Sequence, residues 1–233
     1  MQNILKFLAG AAAVLVLTSG CTISEITPTS GTPGTGAAKS AAPESALAKL
    51  QTLTVKGKAP MTGYDRSQFG PAWKDVDHNG CDTRNDILAR DLKLTKFKEG
   101  TKDCVVKVGL LKDPYTRQDI AFERGPQSAK VQIDHVVALG NVWVSGGQKL
   151  TPDQKEAIAN DPLNLLAVDG PANMAKSDKD ASGWLPKNKD FRCSYVARQI
   201  AVKSKYNLSV TPAEKQAMER VLDSCPGQGV PTE

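Results

Sequence analysis

The stretch Lys130-Val131-Gln132-Ile133-Asp134-His135-Val136-Val137-Ala138-Leu139 sets an acid and a histidine side by side inside an apolar run. The chain has only two histidines among its 233 residues, so composition alone does not explain His135. Burying a carboxylate beside an imidazole costs several kcal/mol unless a metal, a proton or hydrogen bonds compensate. From this segment alone two readings are open: a satisfied core histidine, or a base next to an acidic ligand. An imidazole titrates near neutral pH and can take a proton from water. Oxygen donors such as Asp134 and, further along, Asn173 make a sparse set suited to a hard divalent cation. Mg²⁺ is the first expectation and Mn²⁺ the second, since such an ion keeps several of its waters. An activated water, with a cation to neutralise the phosphate and the leaving 3′ oxygen, is what phosphodiester hydrolysis needs.

The elements that position these residues can be read around them. Val131, Ile133 and the residues after His135 form a β-branched apolar run, hence a buried strand. Asn160 to Val168 is a second apolar strand with a polar start that includes Asn164. Gly170-Pro171 marks a turn, and Pro171 suits the first position of a helix carrying Asn173. The order is strand with Asp134-His135, strand with Asn164, helix with Asn173.

That order resembles the HNH endonucleases, the ββα-metal or His-Me finger nucleases. The wording Ile-Asp-His-Val-Val-Ala-Leu, Asn-Asp-Pro-Leu-Asn-Leu-Leu-Ala-Val and Asn-Met-Ala-Lys-Ser-Asp-Lys-Asp, followed by Trp184-Leu185-Pro186, resembles their exported bacterial type over roughly Tyr64 to Cys225. The resemblance implies an α+β fold with a ββα-metal core near residues 130–180. It implies His135 as general base, Asp134 and Asn173 as metal ligands, and Asn164 bracing the catalytic loop. Asn173 stands where many relatives have a final histidine, which turns the site away from Zn²⁺ or Ni²⁺. Related proteins carry wording similar to Cys81-Asp82-Thr83-Arg84-Asn85. Arg84 is therefore expected in the catalytic site as a phosphate clamp, its fork donating twice to two phosphate oxygens. Lys176 and Lys179 are further candidates for substrate phosphate contact, set against the plainer reading of solvated surface charges. His78 reads as a solvated loop residue.

Outside this core the chain divides simply. Residues 1–20 hold one charge, Lys6, and an apolar run from Phe7 to Leu17, the pattern of a signal peptide. Leu17-Thr18-Ser19-Gly20-Cys21 resembles a bacterial lipoprotein cleavage site, although its leucine stands four places before the cysteine rather than three. Lipidation of Cys21 would anchor the protein to a membrane. Residues 21–50, rich in Ser, Thr, Gly, Pro and Ala, read as a flexible linker. Residues 51–233 fit one nuclease domain. An N-terminal β-hairpin is expected from Cys104–Leu111 and Ile120–Phe122, turning at Asp113-Pro114-Tyr115-Thr116. Ile87, Leu88 and Leu92 have helical spacing behind a cap at Asp82 or Thr83. Thr151-Pro152-Asp153-Gln154 and Thr211-Pro212-Ala213-Glu214 each announce a helix with a capping box and a proline in its first turn.

Setting Cys21 aside, four cysteines remain and none forms a Cys-x-x-Cys pair, so in an exported chain they read as disulfides. Four cysteines allow three pairings. Adjacent pairing, Cys81–Cys104 and Cys193–Cys225, is the expectation, because antiparallel packing of the two last helices would bring Cys193 and Cys225 to one end. The chain carries 30 basic and 25 acidic residues, a balance compatible with a polyanionic partner without demanding one. At 5% aromatic content, a broad base-stacking surface is not indicated. The sequence thus points to an exported, metal-dependent endonuclease, taken as a monomer, acting on nucleic acid, DNA rather than RNA, with little sequence specificity. Its place would be the cell envelope or outside the cell. One rival is an envelope lipoprotein that holds DNA or a protein partner without catalysis; another is a hydrolase of a different phosphoester. A binder has no use for a general base, which favours catalysis.

Overall fold

A computed structural model describes residues 44–232. The expected signal peptide, Cys21 and most of the linker lie outside the described residues. Within them, α1 (Ala46–Thr52) falls inside the stretch read as linker. It buries Ala46 and Leu50 completely, one helical turn apart. The folded part therefore starts before residue 51. At the start of α1 the chain meets its own C-terminal segment: Ala46 N donates to Gln228 O at 2.8 Å, and Val230 N donates to Glu44 O at 2.9 Å.

Asp82 caps α2 (Thr83–Asp91) by accepting from Asn85 N. The helix stops at Asp91, and Leu92 becomes the first residue of β1 (Leu92–Phe97). The expected helical spacing through Leu92 gives way because the segment pairs with β2, Leu92 opposite Leu111 and Phe97 opposite Val106, with register shifts between them. β1, β2 (Val106–Lys112) and β3 (Asp119–Glu123) form an antiparallel sheet in that order. The expected hairpin is thus two strands of a three-stranded sheet. Cys81 is bonded to Cys104, joining the approach to α2 to the approach to β2.

β4 (Val131–His135) pairs antiparallel with β5 (Leu165–Asp169), placing His135 opposite Leu165 and Asp134 opposite Leu166. β5 starts at Leu165. The polar residues before it belong instead to the end of α4 (Pro152–Asn160) and a turn. Both faces of this two-stranded unit are covered. Val131, Ile133, Leu165 and Ala167 pack with Ile87 and Leu88 of α2, whereas Leu166 and Val168 pack with Tyr195 and Ile200. This two-sided burial explains why β5 reads as a nearly continuous apolar run. α5 (Gly170–Lys176) follows β5 without a loop, capped by Asp169, which accepts from Ala172 N. Gly170 is required there, because a Cβ would collide with the carbonyl oxygen of Ala129.

α3 (Leu139–Val144) and α4 separate the two strands, and α4 carries the capping box at Thr151 and Gln154. α6 (Arg192–Lys205) and α7 (Pro212–Leu222) close the domain, with Cys193 bonded to Cys225. The fully buried Lys203 ammonium pairs with Glu214 at 2.7 Å and ties these two helices together. Among the described residues no helix is long and apolar enough to cross a membrane.

Candidate active site

His135 ends β4, and the strand's alternation sends its ring to the side of Val131 and Ile133. The ring is only 7% exposed, and its Nε2 lies 2.8 Å from the Ala159 carbonyl oxygen at the end of α4. A carbonyl can only accept, so Nε2 carries the hydrogen and the neutral ring keeps its lone pair on Nδ1. Burial lowers the pKa of His135 to about 4, and the nearby Arg66 and Lys176 charges push the same way against the Ala159 bond. At neutral pH the imidazole is uncharged and able to accept a proton through Nδ1.

Asp134 faces the opposite side of the strand. Its Oδ2 accepts from the Tyr115 hydroxyl at 2.5 Å and its Oδ1 from the Lys176 ammonium at 2.9 Å. Lys176 is fully buried and also donates to His135 O at 2.8 Å. Burial raises the Asp134 pKa, with the Lys176 charge and the Tyr115 hydroxyl opposing the shift. Tyr115 reaches this position from the β2–β3 turn, where it packs edge-on against Trp184 and Tyr195. Asp113, at the start of the same turn, accepts from Asp169 N and so clamps the turn to the end of β5.

Asn173, on α5, donates through Nδ2 to Gln132 Oε1 at 2.9 Å. Gln132 and Asp134 share one face of β4, so the contact brings the Asn173 amide onto the Asp134 side. Asp134, His135 and Asn173 all line one cavity of about 390 Å³, whose rim includes the exposed Arg66 and Asp178. A larger cavity of about 660 Å³, walled by Lys56, Lys149 and Lys205 among others, has no histidine or acid in its lining and carries no comparable chemistry.

Asn164 is fully buried and holds the chain just after His135. Its Oδ1 accepts from Val137 N at 2.8 Å, while its Nδ2 donates to Val137 O at 3.3 Å and Ile158 O at 3.2 Å. Only an amide can accept from one backbone group and donate to two others at a single position. All three side-chain hydrogen bonds of Asn164 go to backbone groups.

Two sequence expectations are corrected by this geometry. Arg84 sits on α2 with its guanidinium 3.4 Å from Val131 O, at the far end of β4. Val131 lies four strand steps from His135, about 13 Å, so Arg84 is a packing residue of α2 rather than part of this cavity. Lys176 is no surface phosphate ligand, since its ammonium is spent inside on Asp134 and His135 O. Lys179 stays exposed beyond the end of α5, with its ammonium donating to Ala175 O. The exposed cation that does line the cavity is Arg66, and no salt bridge holds it among the described residues. It stands in a short turn after the loop at Gly63 and gave no sequence signal, because where a loop comes to rest is set by tertiary contacts. Tyr115, Gln132 and Trp73 were missed for the same reason. Among them Trp73 lies nearly parallel to the His135 ring, 16° between planes and 6.4 Å between centroids.

Among the described residues no group of three or more His, Cys, Asp or Glu could hold a metal ion, which leaves no closed Zn²⁺ cage. Each Asp134 oxygen accepts one hydrogen bond and keeps a second lone pair, and the Asn173 nitrogen is the atom engaged by Gln132, leaving its oxygen. One carboxylate and one amide oxygen suit a cation such as Mg²⁺ that retains most of its water.

Residues 82–221 match the family described as GmrSD restriction endonucleases, C-terminal domain, and the chain belongs to that family. This is a nuclease family, and the matched residues include Asp134, His135, Asn164 and Asn173 but neither Arg66 nor Trp73. The chain is also similar to an uncharacterized secreted protein of Arthroderma benhamiae, 36% identical over 178 residues that cover 76% of this chain and 82% of that protein. No solved structure matches it.

Proposed function

We propose that the protein is an exported, metal-dependent endonuclease of HNH type that hydrolyses phosphodiester bonds, in DNA rather than RNA and with little sequence specificity. The observation that carries this reading is the locked imidazole. The Ala159 carbonyl holds Nε2–H, so Nδ1 of a neutral ring is the base, beside a cavity that also bears Asp134 and Asn173. β4, β5 and α5 are then the ββα core, with the base at the end of its first strand and one metal ligand on its helix.

In this reading His135 Nδ1 takes the proton of the attacking water. Asp134 and Asn173 would hold Mg²⁺ or Mn²⁺, which when bound offsets charge on the phosphate and the leaving oxygen. Arg66, at the rim, donates to a phosphate oxygen of the substrate. Lys176 keeps the Asp134 carboxylate fixed, and Asn164 keeps the backbone after His135 in place. The cysteine pairing and the secreted relative support export.

Plasmid cleavage by the oxidised protein tests the reading. Cutting is expected with Mg²⁺ or Mn²⁺, and is lost with EDTA and in His135→Ala. Absence of cutting, with a salt-sensitive gel shift shared by both proteins, would replace it with nucleic-acid binding without catalysis.

A further inference from the structure

On its Trp73 side, His135 borders a second cavity of about 250 Å³, walled chiefly by Phe69, Pro71, Ala72, Trp73 and Leu139. Arg66 and His135 line both this cavity and the one holding Asp134 and Asn173. The two spaces therefore meet at the base and at the one exposed guanidinium of the rim.

We propose that this second cavity is a nucleobase subsite, taking a single unpaired base next to the phosphate being cut. The proposal rests on the endonuclease reading and adds the substrate class: nucleic acid with at least one unstacked base, in single strands or at distorted sites. The wall chemistry fits a flat, mostly apolar ring, because every base has a π-face that stacks on an aromatic side chain whatever its sequence. Trp73 and His135 present nearly parallel rings to the same space. Arg66 can pair with the phosphate joining the base in one cavity to the bond in the other. A base stacked in a duplex has both faces covered by its neighbours, so it must leave its stack to lay a face on Trp73.

The subsite is built before the substrate arrives. Trp73 is held at φ 61°, a conformation an aromatic residue adopts only where its neighbours enforce it. Those neighbours are visible at Lys74: its N–H donates to Asn160 Oδ1 at 3.0 Å, its carbonyl accepts from Thr83 Oγ1, and its ammonium pairs with Glu156. The loop bearing Trp73 is thus fastened to α4 and α2, the elements beside His135. Arg66 and Trp73 both precede the residues matched by the nuclease family, whereas His135, Leu139 and Ala159 on the facing wall lie within them.

The test is fluorescence anisotropy of the oxidised protein, in EDTA to prevent cutting. The probes are a labelled single-stranded 12-mer and the same strand with abasic sites at every interior position. The parent is expected to bind the base-bearing strand roughly 5- to 150-fold more tightly than the abasic one. Trp73→Ala should bind both strands as weakly as the parent binds the abasic one, while Trp73→Phe keeps most of the preference. Equal affinity of the parent for the two strands, with salt-sensitive binding and metal-dependent cutting intact, would overturn the subsite and leave the nuclease standing. No binding of either strand and no cutting would overturn both. The comparison of strands on the parent needs no variant to fold.

Discussion

Acidification gives the sharpest test of the locked imidazole. In the folded chain the pKa of His135 is about 4 because the ring is buried, against about 6.5 in the unfolded chain. Between these values the unfolded state binds a proton that the folded state refuses, so stability rises with pH through this window. The contribution is fully present above pH 6.5 and is lost as pH falls to 4. The difference corresponds to about 3 kcal/mol, with a slope approaching ~1.4 kcal/mol per pH unit in the middle of the range. Urea unfolding of the parent and of His135→Gln, which carries no titrating group at this position, should therefore diverge. Their stability difference should shift by about 3 kcal/mol in favour of the variant on going from pH 7 to pH 4, while acid effects shared by other groups cancel. NMR offers an independent reading, since the chain has only two histidines and the signal missing from His135→Gln identifies the ring. A His135 midpoint at or above 6.5, or a stability difference that stays constant within 1 kcal/mol, would refute the argument that the ring is buried and neutral.

Two further outcomes follow from the positioning residues. Lys176→Met strips the buried Asp134 carboxylate of its cation and should cost about 3–5 kcal/mol in urea unfolding, with a loss below 1 kcal/mol counting against the pair. Asn164→Ala leaves the Val137 N–H without its acceptor and should cost about 1–3 kcal/mol. Its cleavage rate should fall as well, whereas Asn164→Asp cannot rescue it, because a carboxylate repels the Val137 and Ile158 carbonyls.

Much of the scaffold was legible because its signals are local. The capping boxes at Thr151 and Thr211 are hydrogen-bond patterns between residues three apart, and both form as read. The β-branched run around Ile133 identified β4, since only a strand covered on both faces tolerates it. The start of β5 was misplaced because Asn160 and Asp161 are polar in sequence for two different reasons: one ends a helix, the other begins a turn. At the site, the placement of His135 on β4 could be read from its own strand. Side chains whose role depends on what another element brings to them could not. Lys176 looks like any helix-end lysine until Asp134 is placed beside it. β1 cannot be read as a strand until β2 lies alongside, and the position of Trp73 follows from Lys74, Asn160 and Thr83, three residues far apart in sequence.

The meeting of the segments flanking α1 and α7 has a topological consequence. Residues 44–46 and 228–230 are joined by backbone hydrogen bonds, so the folded chain traces an almost closed circuit. Such a path has no privileged starting point. Its ends could be linked and the ring reopened at an exposed turn, with the same packing retained. A pull on the N-terminal segment would be borne first by these few hydrogen bonds to the C-terminal segment, so the seam between the two ends, far along the chain from His135 and Trp73, would carry the mechanical load.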